Sequence, residues 1–166
     1  MVIVVASAPA AHAACDDHFP EQPWERIGET EVLTVSAVGL GESQALRYSN
    51  EANTMMLLLE QDFGPLPALD LCIYGPDVRL DPTGLAPPGQ LLHAAVFNES
   101  RTIYISALQP RFFTGNQAFG LAYAALWNVA TEEGQTGYPE PLATTIGQWY
   151  LARVTDKLEQ IGRAHV

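Results

Sequence analysis

Apolar and polar residues change their spacing several times along the chain, and each change marks an element. Glu31 to Val38 sets Val and Leu among β-branched neighbours and predicts a strand. Ala52, Met55, Met56, Leu59 and Phe63 then recur at the spacing of one helix face, predicting a helix over Asn50 to Asp62. Ser49 is placed to cap it and Gly64-Pro65 to end it. The Met pair reads as filling for the core, because a flexible thioether adapts to irregular gaps. Leu69 to Tyr74 predicts a second strand, closed by Gly75-Pro76, and Asp77 to Gly89 a loop rich in Gly and Pro. Leu92 to Phe97 and Thr102 to Leu108 flank a polar Asn98-Glu99-Ser100-Arg101 turn and predict a hairpin. Asn98-Glu99-Ser100 also has the form of a glycosylation sequon, and reads first as the turn itself.

The second half is helical in pattern. Asn116 to Thr131 is apolar on every side, with Phe119, Leu121, Tyr123, Leu126, Trp127 and Val129 among Ala and Gly, and such a helix is buried. Interrupted at Asn128, it falls short of the roughly 20 apolar residues that a bilayer span needs. After a turn at Glu132 to Gly137, Pro139 and Pro141 open another helix with Leu142, Ile146, Trp149 and Arg153 on one face, continued by Leu151, Val154 and Leu158. Residues 16–30 are polar, broken by Pro, and read as an extended lead-in. The order predicts an α+β fold: a small mixed sheet, with a strand-helix-strand-hairpin first half packed on two C-terminal helices, the first fully buried.

The two ends read differently from the middle. Met1 to Ala14 is a short apolar run followed by small residues, with Ala11-His12-Ala13 in the A-x-A form of a signal cleavage site, although no Lys or Arg precedes it. Residues 1–14 are therefore expected to be a signal peptide and 15–160 a single domain. Residues 161–166, Ile-Gly-Arg-Ala-His-Val, resemble the translation of a sequencing adapter and are expected to be a non-native tail. In an exported chain, Cys15 and Cys72 are expected to form one disulfide. The alternatives are a lipidated or free Cys15 and a Cys72 that is simply a small buried hydrophobe.

Charge narrows the partners. Nineteen Asp and Glu stand against eight Lys and Arg, a net charge of −11 with no basic cluster, which excludes binding to a phosphate backbone. Charged residues make up 16% and apolar residues 48%, so the chain can bury a core and is not an acidic disordered tail.

The order of elements, together with the run Gly137-Tyr138-Pro139-Glu140-Pro141-Leu142-Ala143-Thr144-Thr145-Ile146-Gly147-Gln148-Trp149-Tyr150, resembles a secreted gluzincin metallopeptidase domain of the peptidase MA-like kind. The resemblance covers Glu31 to about Leu158. It implies a helix carrying His-Glu-x-x-His and a later Glu as third zinc ligand. Where the motif belongs, this chain has Gly120-Leu121-Ala122-Tyr123-Ala124, and Thr144 stands where the liganding Glu would be. Outside the two ends only His18 and His93 remain, and Asp16-Asp17-His18, the one paper ligand cluster, lies where chain ends are usually solvated. No Gly-x-Ser-x-Gly elbow or phosphate-binding Gly-rich loop is present, and the pairs Glu29/Glu31 and Glu132/Glu133 fall in solvated segments.

No catalytic, cofactor or metal residue is therefore assigned. The expectation is an exported, non-catalytic binding or structural module on a gluzincin-like scaffold. Tyr123, Trp127, Trp149 and Tyr150 are its candidate contacts for a protein or small ligand, and core packing is the other reading of these aromatics. The competing expectation is a peptidase-like hydrolase whose active site is unrecognised or partly missing, the domain being cut short on its C-terminal side. A cleft carboxylate of raised pKa would betray it.

Overall fold

A computed structural model describes residues 15–80, 94–97, 100–108, 110–132, 148–150, 152–154 and 156, with side chains over 113–125 of the long C-terminal helix. The elements are α1 (Cys15–His18), β1 (Glu25–Glu29), β2 (Leu33–Val38), α2 (Glu42–Phe63), β3 (Leu69–Tyr74), β4 (Ala94–Phe97), β5 (Thr102–Ser106) and α3 (Pro110–Glu132). They form the expected α+β fold, a five-stranded mixed sheet in the order β1-β2-β3-β5-β4. β2, β3 and β5 run parallel at the centre, while β1 and β4 are antiparallel edges.

The parallel strands are apolar on both faces because each face is covered. Leu33, Val35, Leu69, Leu71, Ile73, Ile103 and Ile105 meet α2 and α3 in the larger core. Val38, Cys72, Tyr74 and Tyr104 point to the other face, which Cys15, Phe19, Trp24 and Leu80 close. α2 and α3 are joined by the stacked rings of Tyr48 and Phe113, 3.8 Å apart, and by the Gln117 amide, which donates to the Tyr48 carbonyl at 3.0 Å.

Strand β3 and the β4/β5 hairpin lie where the sequence places them, with β5 ending at Ser106 rather than Leu108, while β2 begins two residues later than expected and α3 begins at Pro110 rather than Asn116. Further expectations are corrected. The lead-in is not extended throughout: it holds α1 and the edge strand β1, whose Glu25, Arg26 and Glu29 hide it from an apolar pattern. α2 starts at Glu42 rather than Asn50, with Gly41 at its N-cap and no side-chain cap. Ala45, Tyr48 and Ser49 extend the buried stripe by two turns, so Ser49 is not a cap but a core residue. Its hydroxyl fills the space that a side chain at Gly28 would need. Phe63 is 40% exposed and does not complete the core face. Residues 1–14, expected to be a signal peptide, residues 81–93 with His93, the Asn98-Glu99 half of the turn, Pro139 to Ile146 and residues 161–166 lie outside the described residues.

The edge strand is guarded. A bulge at Ile27 interrupts its register between Arg26 and Gly28, and its charged side chains face solvent, both devices that discourage pairing with a second sheet.

Candidate functional site

A concavity opens beside that edge. β1 returns along β2, so that Glu25 sits opposite Ala37, and the chain then passes through Gly39, Leu40 and Gly41 into α2. The result is a cleft of about 400 Å³ at the C-terminal end of β2 and the first turn of α2. Ile27, Ala37 and Ala45 line it on the α2 side of the sheet, the end of β2 at Val38 borders it, and Leu40 and Leu46 stand beside them. Leu46 is 56% exposed, an apolar side chain on the outside of the helix. Pro23, Glu25 and Glu42 complete the lining. Neither carboxylate has an ion-pair partner among the described residues, whereas Glu29 is held by Arg26 at 3.0 Å and Glu51 lies 3.8 Å from Arg47.

Backbone packing fixes the mouth of the cleft. Gly39 has φ +67°, in the left-handed region, and the Gly75 N–H donates to the Val38 carbonyl at 2.8 Å. The turns after β2 and β3 cross there with no side chain between them: a Cβ on Gly75 would lie 1.8 Å from the Gly39 oxygen.

The aromatic residues expected to make contacts separate into three settings. Tyr150 is buried, its hydroxyl donating to the Met55 carbonyl at 2.5 Å, and its burial pushes the phenol well above the usual tyrosine range. It holds residues 148–150 against α2. Trp149 is 50% exposed, edge-on to Phe63 at 6.2 Å, with the Arg153 guanidinium over its ring and bonded to Asp62 at 2.6 Å. Tyr123 is half-buried and stacks on Phe119 one turn earlier in α3. The Trp127 side chain lies outside the described residues. Tyr123, Trp149 and Tyr150 therefore do not form one surface.

On the sheet face opposite α2 and α3, the Cys15–Cys72 disulfide is formed, and both cysteines are buried. His18 stacks on Phe97 at 4.3 Å rather than joining Asp16 and Asp17 as a ligand set. Tyr104 collects the rings of His18, Phe19, Trp24 and Phe97 around it and donates to the Cys15 carbonyl at 3.0 Å. No group of three or more His, Cys, Asp or Glu side chains comes together among the described residues.

One carboxyl is perturbed. Burial raises the pKa of Asp70; Arg26 and a hydrogen bond with Thr34 oppose the rise, and Asp17 adds to it. Asp70 begins β3 on the disulfide side of the sheet and does not line the cleft, so it is not the cleft acid that a hydrolase would offer. A folded-state pKa above the ordinary 3.8 means that its contribution to stability is full below that value and is lost as pH rises through the folded one. Asp70→Asn, which keeps an oxygen to accept from Thr34, is expected to leave the melting temperature unchanged in strong acid and to raise it at neutral pH. Melting curves across that range check this, and an equal shift at both ends would assign the effect to packing rather than charge.

The geometry can be tested for zinc by its donors. The α3 turn on which the resemblance would place the peptidase motif presents Gly120, Leu121, Ala122, Ala124 and Ala125, all buried against the sheet and α2, and a Cβ on Gly120 would already stand 3.1 Å from Ile103. The turn carries no His or carboxylate, and its one polar side chain, Tyr123, stacks on Phe119, so the residues present do not fit a zinc site. Compared with known family profiles, curated proteins and solved structures, the chain matches none.

Proposed function

We propose that the chain is an exported, non-catalytic binding module of a secreted or surface protein, built on a gluzincin-like scaffold. The observation that carries it is the α3 turn from Gly120 to Ala125. Where the resembled peptidases bring two imidazoles and a water-activating Glu, this chain brings Gly120, Leu121, Ala122, Ala124 and Ala125, buried in close helix-to-sheet packing, and a Tyr123 stacked on Phe119. Export is supported by the Cys15–Cys72 bridge, and no described helix is long and apolar enough to cross a membrane. Binding is supported by the open cleft beside β1, which has an apolar floor and charged rim and is built by three successive segments.

The test is zinc itself. Chain purified without chelator, equilibrated with zinc and measured by elemental mass spectrometry is expected to carry no stoichiometric metal, and its melting temperature to be the same with and without zinc. A site filled at a thousand times its dissociation constant would add about 4 kcal/mol of stability, a shift easily seen. One zinc per chain with a raised melting temperature would overturn the reading and make His18 and His93 the first residues to replace.

A further inference from the structure

We infer that the cleft between β1 and the first turn of α2 binds a basic side chain flanked by apolar ones, as in a Leu-Lys-Leu or Leu-Arg-Leu stretch of a partner polypeptide. This deepens the binding-module reading and rests on it. The occupant follows from charge complementarity. The floor of Ile27, Ala37 and Ala45 offers apolar surface but no hydrogen-bonding side chain, so it selects an aliphatic stem. At the rim Glu25 and Glu42 are both exposed, and neither is neutralised by a cation among the described residues. A free anion would meet two carboxylates there in a chain of net charge −11, and a wholly apolar ligand would strand them. A lysine or arginine laid along the floor satisfies both demands, its stem on the aliphatic groups and its head between the carboxylates. The exposed Leu46 then provides a shelf for the apolar neighbour. A space of about 400 Å³ accommodates one long side chain with part of a second, and so suits a short linear segment. The crossing of Gly39 and Gly75 holds the walls in place before any ligand arrives, so little ordering has to accompany binding.

The experiment titrates the ¹⁵N-labelled, disulfide-intact full chain with acetylated and amidated Leu-Lys-Leu, and separately with Leu-Glu-Leu. Saturable shifts are expected at the amides of Ile27 and of Gly39 to Leu46 with the lysine peptide only. Glu25→Gln/Glu42→Gln should weaken binding by about tenfold, since each lost charge contact at a partly wet rim carries only a modest part of the energy. Glu31→Gln/Asp156→Asn removes the same charge from exposed sites away from the cleft and should change affinity less than about twofold. Equal weakening in the two double variants would mean long-range attraction to an acidic chain and would overturn the cleft. So would shifts centred on Phe63 and Trp149, or no saturable shift at all. Cleavage of the peptide, read by mass spectrometry, would overturn the non-catalytic reading instead, while rim-dependent affinity would still support the cleft.

Discussion

Gly75→Ala is expected to destabilise the chain by about 3 kcal/mol or more, among the largest effects of any single methyl group in this fold. The added Cβ would lie 1.8 Å from the Gly39 oxygen and 2.6 Å from its carbonyl carbon. Both are backbone atoms, and no rotamer change relieves the overlap. Gly39 cannot yield easily, because its φ of +67° suits the turn and Val78 already fills the space where its own side chain would be. The two turns must therefore part, stretching the 2.8 Å bond from the Gly75 N–H to the Val38 carbonyl at the junction of two central strands. Thermal melts should place the loss at roughly 6–12 °C for a chain of this size. Gly41→Ser is the control: Gly41 has open space around it, φ −71° and the N-cap position of α2, so a hydroxyl there should change stability by no more than about 0.5 kcal/mol, in the stabilising direction. A Gly75→Ala variant melting like the Gly41→Ser one would show that the turns are not in contact. Because Gly39 and Leu40 wall the cleft, the same substitution should also weaken any ligand held there, and a stable variant with lost binding would separate the two effects.

What could be read in the sequence, and what could not, divides along burial. Leu69 to Tyr74 is legible because a strand covered on both faces is apolar at nearly every position, and β3 occupies those six residues. The hairpin is legible for the same reason, β5 being buried at every residue from Thr102 to Ser106. β1 is not, because an edge strand beside solvent carries Glu25, Arg26 and Glu29 where the pattern would need apolar residues. The first two turns of α2 are hidden by Leu46 and Arg47, exposed on the outer face, and by the lack of a capping side chain at Gly41. The cleft inherits both omissions: it is formed by the missed strand and the missed helix start, so no reading that leaves residues 16–30 extended could place Glu25 near Glu42. The aromatic candidates divide for a different reason. Trp149 and Tyr150 are neighbours in sequence, yet successive residues of a helix point about 100° apart, and one meets solvent while the other reaches the Met55 carbonyl in the core.

Replacing both cysteines, Cys15→Ala/Cys72→Ala, is expected to cost about 2–4 kcal/mol and to lower the melting temperature by roughly 4–16 °C. The bridge joins residues 57 apart, and closing a loop of that length removes enough freedom from the unfolded chain to be worth about 4 kcal/mol in the chain-entropy account. The folded side has less to offer in its place. Without the bridge, α1 is held to the sheet by the Tyr104 hydroxyl on the Cys15 carbonyl and by aromatic edges on the Tyr104 ring. One such hydrogen bond is worth about 1 kcal/mol and each ring pair about 0.5–1.5 kcal/mol, set against the cost of ordering the ten residues from Cys15 to Trp24 at about 1–2 kcal/mol apiece for the backbone. The variant should therefore lose this cover before it loses the sheet. Hydrogen exchange should show the amides of residues 15–24 unprotected while those of β2 and β3 stay slow, and uncovering Val38, Tyr74 and Tyr104 should let a hydrophobic dye bind. Both sulfurs are buried in the intact chain, so added reductant should open the bridge only as fast as the segment itself opens, and the rate should rise steeply with mild denaturant. A double variant melting within about 2 °C of the parent chain, with residues 15–24 still protected, would show that the aromatic cover holds the N-terminal segment without the covalent link.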